Sequence, residues 1–121
     1  MENTTYSIIQ NGCNIKISAQ IDGKQIGFGE ISAVLDVADV IDIGVDSAYR
    51  RQGIGREICN RLIAFSAETG VKTLTLEVRK SNSAALALYE SLGFCAISER
   101  AKYYDDNEDA VIMQLYLPEW A

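Results

Sequence analysis

The sequence contains no histidine. That absence excludes a Ser-His-Asp or Cys-His catalytic centre and removes the commonest zinc ligand. Proton transfer in any reaction must therefore run through Asp, Glu, Tyr, Lys, Cys or water. Basic charge is scarce as well, with 11 Lys and Arg against 17 Asp and Glu and a formal net charge of −6. Nucleic-acid affinity rests mostly on Lys and Arg neutralising phosphates, so nucleic acid is not an expected partner and any anion site must be local. Cysteine is limited to Cys13, Cys59 and Cys95, far apart and in no C-x-x-C pair. Neither a disulfide framework nor a metal site is expected from them, and they read as reduced, mostly buried small hydrophobes. No apolar run approaches the roughly 18 to 20 residues of a bilayer span. The polar opening from Met1 to Thr5 lacks the charged and apolar regions of a signal peptide. A cytoplasmic location away from membranes is the expectation. Proline is nearly absent, the single Pro118 falling near the terminus, and there is no linker, repeat or low-complexity tract.

What is present is enough for one domain over residues 1–121. With 48% hydrophobic residues, a chain of this size buries roughly two-thirds of the surface its unfolded form exposes and needs no covalent staple. From Asn14 to Ile21 apolar and polar residues alternate, the pattern of a half-buried strand, and Asn11-Gly12 and Asp22-Gly23 on either side suit tight hairpin turns. This predicts a meander of strands near Tyr6 to Gln10, Asn14 to Ile21, Gln25 to Leu35 and Asp39 to Val45. After Asp46 the period changes. Ile54, Ile58, Leu62 and Phe65 recur near helical spacing up to Gly70. Leu74, Leu76 and Val78 then alternate with polar residues, giving a strand that must lie parallel to the fourth because a helix separates them. A second helix follows Asn82 or Ser81 as N-cap, with Ala85, Leu88, Tyr89 and Leu92 on its apolar side and Gly93 at its end. A last hairpin, Cys95 to Tyr103 and Ala110 to Leu117, spans the acidic loop Asp105 to Asp109.

The stretch from Val45 to Arg56 runs from a strand end through a basic, glycine-containing loop into a helix. Such a junction cradles anions. Gly53 and Gly55 present no Cβ, the first helical N–H groups lack intrahelical partners, and the helix dipole favours negative charge, with Arg50, Arg51 and Arg56 alongside. A diphosphate is a natural occupant. Read alone, the same pattern also fits a turn that merely starts a helix. It is neither a Walker A loop nor a complete dinucleotide fingerprint.

The stretch resembles the acetyl-CoA motif of GNAT N-acetyltransferases, [Gln/Arg]-x-x-Gly-x-[Gly/Ala], through Arg50, Gly53 and Gly55. Leu74 to Phe94 is similar to the second signature of that superfamily, and in particular of its bacterial ribosomal-protein-alanine N-acetyltransferases. Tyr103-Tyr104 with Glu108 to Met113 resembles the last hairpin. The likeness runs from Asp22 to Leu117 apart from the acidic loop. It implies an α/β fold with a mixed, mostly antiparallel sheet, a splayed parallel pair and two helices, lacking the family's usual N-terminal helix pair. It implies acetyl-CoA as donor, with Ile43, Gly44 and Val45 offering main-chain groups to the acetyl and pantetheine part. Arg51, Gln52, Gly53, Ile54, Gly55 and Arg56 fall around the diphosphate, and Asn82 on the pantetheine arm. Glu77 falls on the general base and Tyr89 on the general acid.

Chemistry gives both residues something to do. A peptide α-amino group with pKa near ~8 is mostly protonated at neutral pH, so a base is required. Tyr89 offers an O–H to the leaving sulfur without a charge to desolvate. By themselves, Glu77 also reads as a solvated strand carboxylate and Tyr89 as a core aromatic. Tyr103 and Tyr104 read equally as groove or packing residues, and the acidic loop as a solvated charge run. The expected acceptor is a protein N-terminal amine. A small amine or polyamine acceptor and a non-catalytic CoA-binding module are the alternatives. The missing helix pair would leave sheet surface uncovered, which predicts a homodimer.

Overall fold

A computed structural model of the chain describes residues 3–117, so Pro118 lies outside them. The elements in chain order are β1 (Thr5–Asn11), β2 (Asn14–Ile21), β3 (Lys24–Val34), β4 (Val37–Val45), a short turn of 3-10 helix (Ser47–Tyr49), α1 (Ile54–Glu68), β5 (Thr73–Arg79), α2 (Ser83–Ser91), β6 (Cys95–Arg100) and β7 (Ala110–Tyr116). The seven strands form one sheet in the order β1-β2-β3-β4-β5-β7-β6. Every neighbouring pair is antiparallel except β4 with β5. The fold is therefore the mixed α/β arrangement expected.

The alternation in β2 does what its period requires, burying Ile15, Ile17, Ala19 and Ile21 on one face. Their cross-strand partners Ile31, Gly29 and Gly27 continue that face across β3. Here α1 lands, and two glycines let it come close. A Cβ on Gly29 would stand 2.8 Å from Ile58 and from Leu62, and one on Gly27 3.1 Å from Ile58. Ile54, Ile58 and Leu62 are fully enclosed as a result, each such side chain contributing about 1.5–3 kcal/mol. α1 and α2 meet over Leu74 and Leu76 of β5, where Cys59, Leu62 and Ile63 of α1 and Tyr89 of α2 close round them with Phe94. Leu86 rather than Leu88 joins Ala85, Tyr89 and Leu92 against the core. The opposite face of the sheet carries no helix among the described residues.

Two expectations are corrected. Cys59 is buried, whereas Cys13 and Cys95 are exposed: Cys13 sits in the turn before β2, and Cys95 faces away from the helices at the start of an edge strand. The strand expected to reach Tyr103 ends at Arg100. Lys102 takes a left-handed conformation, φ 53°, and its N–H donates to the Asp109 carboxylate at 3.0 Å. That bend puts Tyr103 and Tyr104 in the loop rather than the sheet.

Candidate active site

The site begins where β4 and β5 part. They share three parallel pairs, Val37 with Thr73, Ala38 with Leu74 and Asp39 with Thr75. Beyond these, β4 stays bonded to β3 and β5 stays bonded to β7. The strand edges facing each other across the gap keep unused peptide groups, which seek partners. A bulge drives the divergence. Ile31 pairs with Val40 but Glu30 pairs with Asp42, leaving Ile41 as an extra residue on β4, and such an insertion bends the strand that carries it.

A groove of about 620 Å³ runs along the β4 edge to the start of α1. Of the residues the resemblance sets around the donor, Ile43, Gly44, Val45, Arg50, Arg51, Gly53, Ile54, Gly55, Arg56 and Asn82 line it and Gln52 does not. Tyr49, Ala84, Ala85 and Leu88 join them without having been singled out for it. Gly53 caps α1 at φ 82° and no side chain caps the helix. The conformation demands glycine, and the leading N–H groups keep the partial positive charge of the helix end for an anion.

The three arginines have separated roles. Arg50 Nε donates to the Val45 carbonyl at 3.1 Å and braces the loop. Arg56 Nη2 donates to Ser91 Oγ at 2.9 Å and ties α1 to α2. Arg51 holds a left-handed backbone, φ 63°, and has no protein partner among the described residues. It is the guanidinium left to meet an anion.

A second cavity, of about 200 Å³, fills the wedge between the strands. Asp42 of β4, Glu77 and Arg79 of β5, Tyr89 of α2 and Tyr104 of the last loop line it. Ile43, Asn82, Ala85 and Tyr89 border both spaces, so groove and cavity meet at Tyr89. Asn82 caps α2, its Oδ1 accepting from the Ala85 N–H at 3.1 Å, which leaves its amide nitrogen as a donor. Burial pushes the Tyr89 phenol up to about 12, and the nearby Cys59 thiol and Asp42 carboxylate push the same way. Phe94 meets the Tyr89 ring edge-on with centroids 5.7 Å apart. The ring is thus held in place and the phenol stays protonated at neutral pH. Glu77 lies on the face of β5 away from Leu76 and Val78 and is exposed.

The acidic loop is not a free solvated run. Arg79 Nη1 bonds Asp106 at 2.9 Å and Glu108 at 3.1 Å, and its guanidinium lies 4.1 Å above the Tyr104 ring centroid. Glu108 also accepts from the Ser81 N–H at 2.8 Å. Hydrogen bonding to Ser81, through its side chain first and its N–H second, and then to Arg79, holds the Glu108 carboxyl below its ordinary range. The clamp sets Tyr104 at the cavity wall, while Tyr103 packs edge-on against it at 5.0 Å and stays 44% exposed. No spacing rule pairs Arg79 with residues 27 and 29 positions later, so this part of the site has no local sequence signal.

The model of the acetyltransferase (GNAT) family matches residues 3–94. The chain is 50% identical over 97 residues to the [ribosomal protein bS18]-alanine N-acetyltransferase of Escherichia coli strain K12, covering 78% of this chain and 66% of that protein's length. A crystal structure of the Escherichia coli ribosomal-protein-S18-alanine N-acetyltransferase superposes with a TM-score of 0.86 at 43% identity, over 93% of this chain and 74% of that one. A Bacillus anthracis chain solved in complex with acetyl coenzyme A superposes with a TM-score of 0.80 at 25% identity, over 90% of this chain and 65% of that one.

Proposed function

This chain belongs to the acetyltransferase (GNAT) family, and from that premise we propose that it transfers an acetyl group from acetyl-CoA to a primary amine. The acceptor we favour is the α-amino group of a protein N-terminus, as in the relatives named for alanine acetylation of ribosomal protein bS18. The observation that carries the reading is the junction of two spaces at Tyr89, one leading to the uncapped start of α1 and the other holding carboxylates. The diphosphate of the donor would sit against the first N–H groups of α1 with Arg51 beside it. The pantetheine arm would extend along the β4 edge from Ile43 to Val45, with Asn82 as a further donor. The thioester would then lie at Tyr89.

In the reaction the acceptor ammonium loses a proton to Glu77, directly or through water, the free amine forms its bond to the acetyl carbon, and the nitrogen gives up a second proton to water as the amide forms. The carbon–sulfur bond breaks, the departing sulfur takes its proton from Tyr89, and the phenolate recovers a proton from water. The transfer is direct, with no acyl-enzyme. Ile43, Gly44, Val45, Arg50, Gly53, Ile54, Gly55 and Arg56 shape or support the donor groove, and Gln52, set off from it, is the weakest member of the expected set.

The carboxylate-lined cavity also suits a small amine or polyamine, and a CoA-binding module without turnover is the remaining rival. One experiment separates them: acetyl-CoA is supplied with a panel of N-terminal peptides and small amines, and thiol release is followed. Release stimulated most by a peptide with a free N-terminal alanine is the expected result. Saturable acetyl-CoA binding with no stimulated release would overturn the enzymatic reading.

The reaction is assigned to the cytoplasm, where ribosomal proteins are made. We further propose a homodimer, since the edge strand β1 shows solvent Ile8 and Ile9, the latter 68% exposed, and edges of this kind are usually covered. Sedimentation at micromolar concentration is expected to give twice the monomer mass, and a pure monomer would refute the assembly.

A further inference from the structure

We infer that Asp42 holds the acceptor amine as a cation in the cavity between β4 and β5, selecting positively charged acceptors before the proton is removed. The inference rests on the acetyltransferase reading and adds to it a residue that no motif singles out. Asp42 owes its place to the bulge at Ile41. Without the inserted residue the register that pairs Ile31 with Val40 would pair Glu30 with Ile41 and turn Asp42 to the opposite face. As built, it lines the same cavity as Glu77 and Tyr89.

The charges around it leave one kind of ligand. Facing Asp42 are Glu30 from β3, Glu77 and Arg79 from β5, Tyr89 from α2 and Tyr104 from the last loop. Glu30 is its cross-strand partner and is itself engaged by Asn14 Nδ2 at 3.2 Å. Among the described residues Arg79 is the only Lys or Arg lining the cavity, and its charge is taken up by Asp106 and Glu108, neither of which lines it. Two carboxylates, Asp42 and Glu77, thus face a space without a free cation among the described residues. An ammonium group supplies that charge and hydrogen-bonds to either carboxylate.

Two carboxylates also divide the work. A negative charge beside an ammonium binds it more tightly but opposes loss of its proton. Asp42 therefore acts on acceptor binding, and Glu77 on proton removal. Removing the Asp42 charge should weaken binding of ground state and transition state to a similar extent, an effect seen in KM rather than kcat.

The test is steady-state acetylation of a peptide with a free N-terminal alanine by the native protein, Asp42→Asn and Asp42→Glu, at low and high salt. For Asp42→Asn, KM for the peptide should rise roughly five- to tenfold, a size appropriate to one charge-assisted contact, with kcat held or slightly raised and acetyl-CoA affinity retained. The salt dependence of KM should shrink in that variant and return in Asp42→Glu. Unchanged KM and salt dependence in an active, folded Asp42→Asn variant would overturn the inference and leave the proposed activity standing. No acetylation of any amine by the native protein would overturn both.

Discussion

Asp39 and Thr75 are the last residues paired across the parallel strands β4 and β5. Within three residues of this pair on each strand, Asp42 and Glu77 line a common cavity. A ladder that continued would fill the wedge with backbone hydrogen bonds. Because it stops, peptide groups on β4 and side chains from β5, α2 and the last loop are left to meet a ligand.

Gly53 tests the donor groove. A Cβ there would meet nothing within 4 Å, but the backbone sits at φ 82°, so Gly53→Ala should cost about 1–2 kcal/mol of stability through conformation alone and leave some acetyl-CoA affinity. Gly53→Glu adds a negative charge beside the uncapped helix end, and calorimetry should find acetyl-CoA binding abolished. Undiminished affinity would remove this junction from the site.

Arg51 should matter most among the arginines of the loop. Arg50 and Arg56 are already bonded to Val45 and Ser91, whereas Arg51 is available to a phosphate. Arg51→Ala should weaken acetyl-CoA binding by roughly tenfold and flatten its salt dependence. The same titration on Arg50→Ala should show a smaller loss of salt dependence, and an equal response from both variants would contradict this division.

Tyr89→Phe keeps the ring against Phe94 and deletes the hydroxyl proposed as proton donor. Turnover should fall by roughly 10²-fold, the ordinary scale of general acid catalysis, with acetyl-CoA affinity nearly unchanged. Because burial pushes the phenol up to about 12, it stays protonated well into alkaline solution, so the native rate should show no fall from this group below about that pH. A variant with full turnover would assign the proton to another donor.

Glu108 predicts an acid limb. Its carboxyl is held below the ordinary value of 4.5 by the side chain and N–H of Ser81 and by Arg79, so the charged form is favoured in the folded state. Its contribution to stability is complete above the ordinary value and disappears as pH falls through the lowered one. Thermal melts across that window should show the native protein losing stability more steeply than Glu108→Gln. Parallel curves for the two proteins would show that the clamp does not hold the loop.

Much of this fold was legible in the chain because its signals are local. Alternation over Asn14 to Ile21 and over Thr73 to Arg79 marks two strands with their observed bounds. Asn82 caps α2 because a side-chain oxygen placed three residues before an N–H of a first turn has little else to bond. The glycine-led start of α1 was legible for the same reason, since a glycine at positive φ and the free N–H groups after it belong to one short segment.

What the chain by itself determined, then, is where strands and helices form, where a helix starts with its N–H groups uncapped and which residue types are available to move a proton. Tertiary structure alone decided the inserted Ile41, the place of Asp42, the bond from Arg56 to Ser91 and the clamp of Arg79 on Asp106, Glu108 and Tyr104. Each of these depends on the register or approach of elements distant in sequence, and register is set by how whole strands and helices pack together rather than by any residue's own preference.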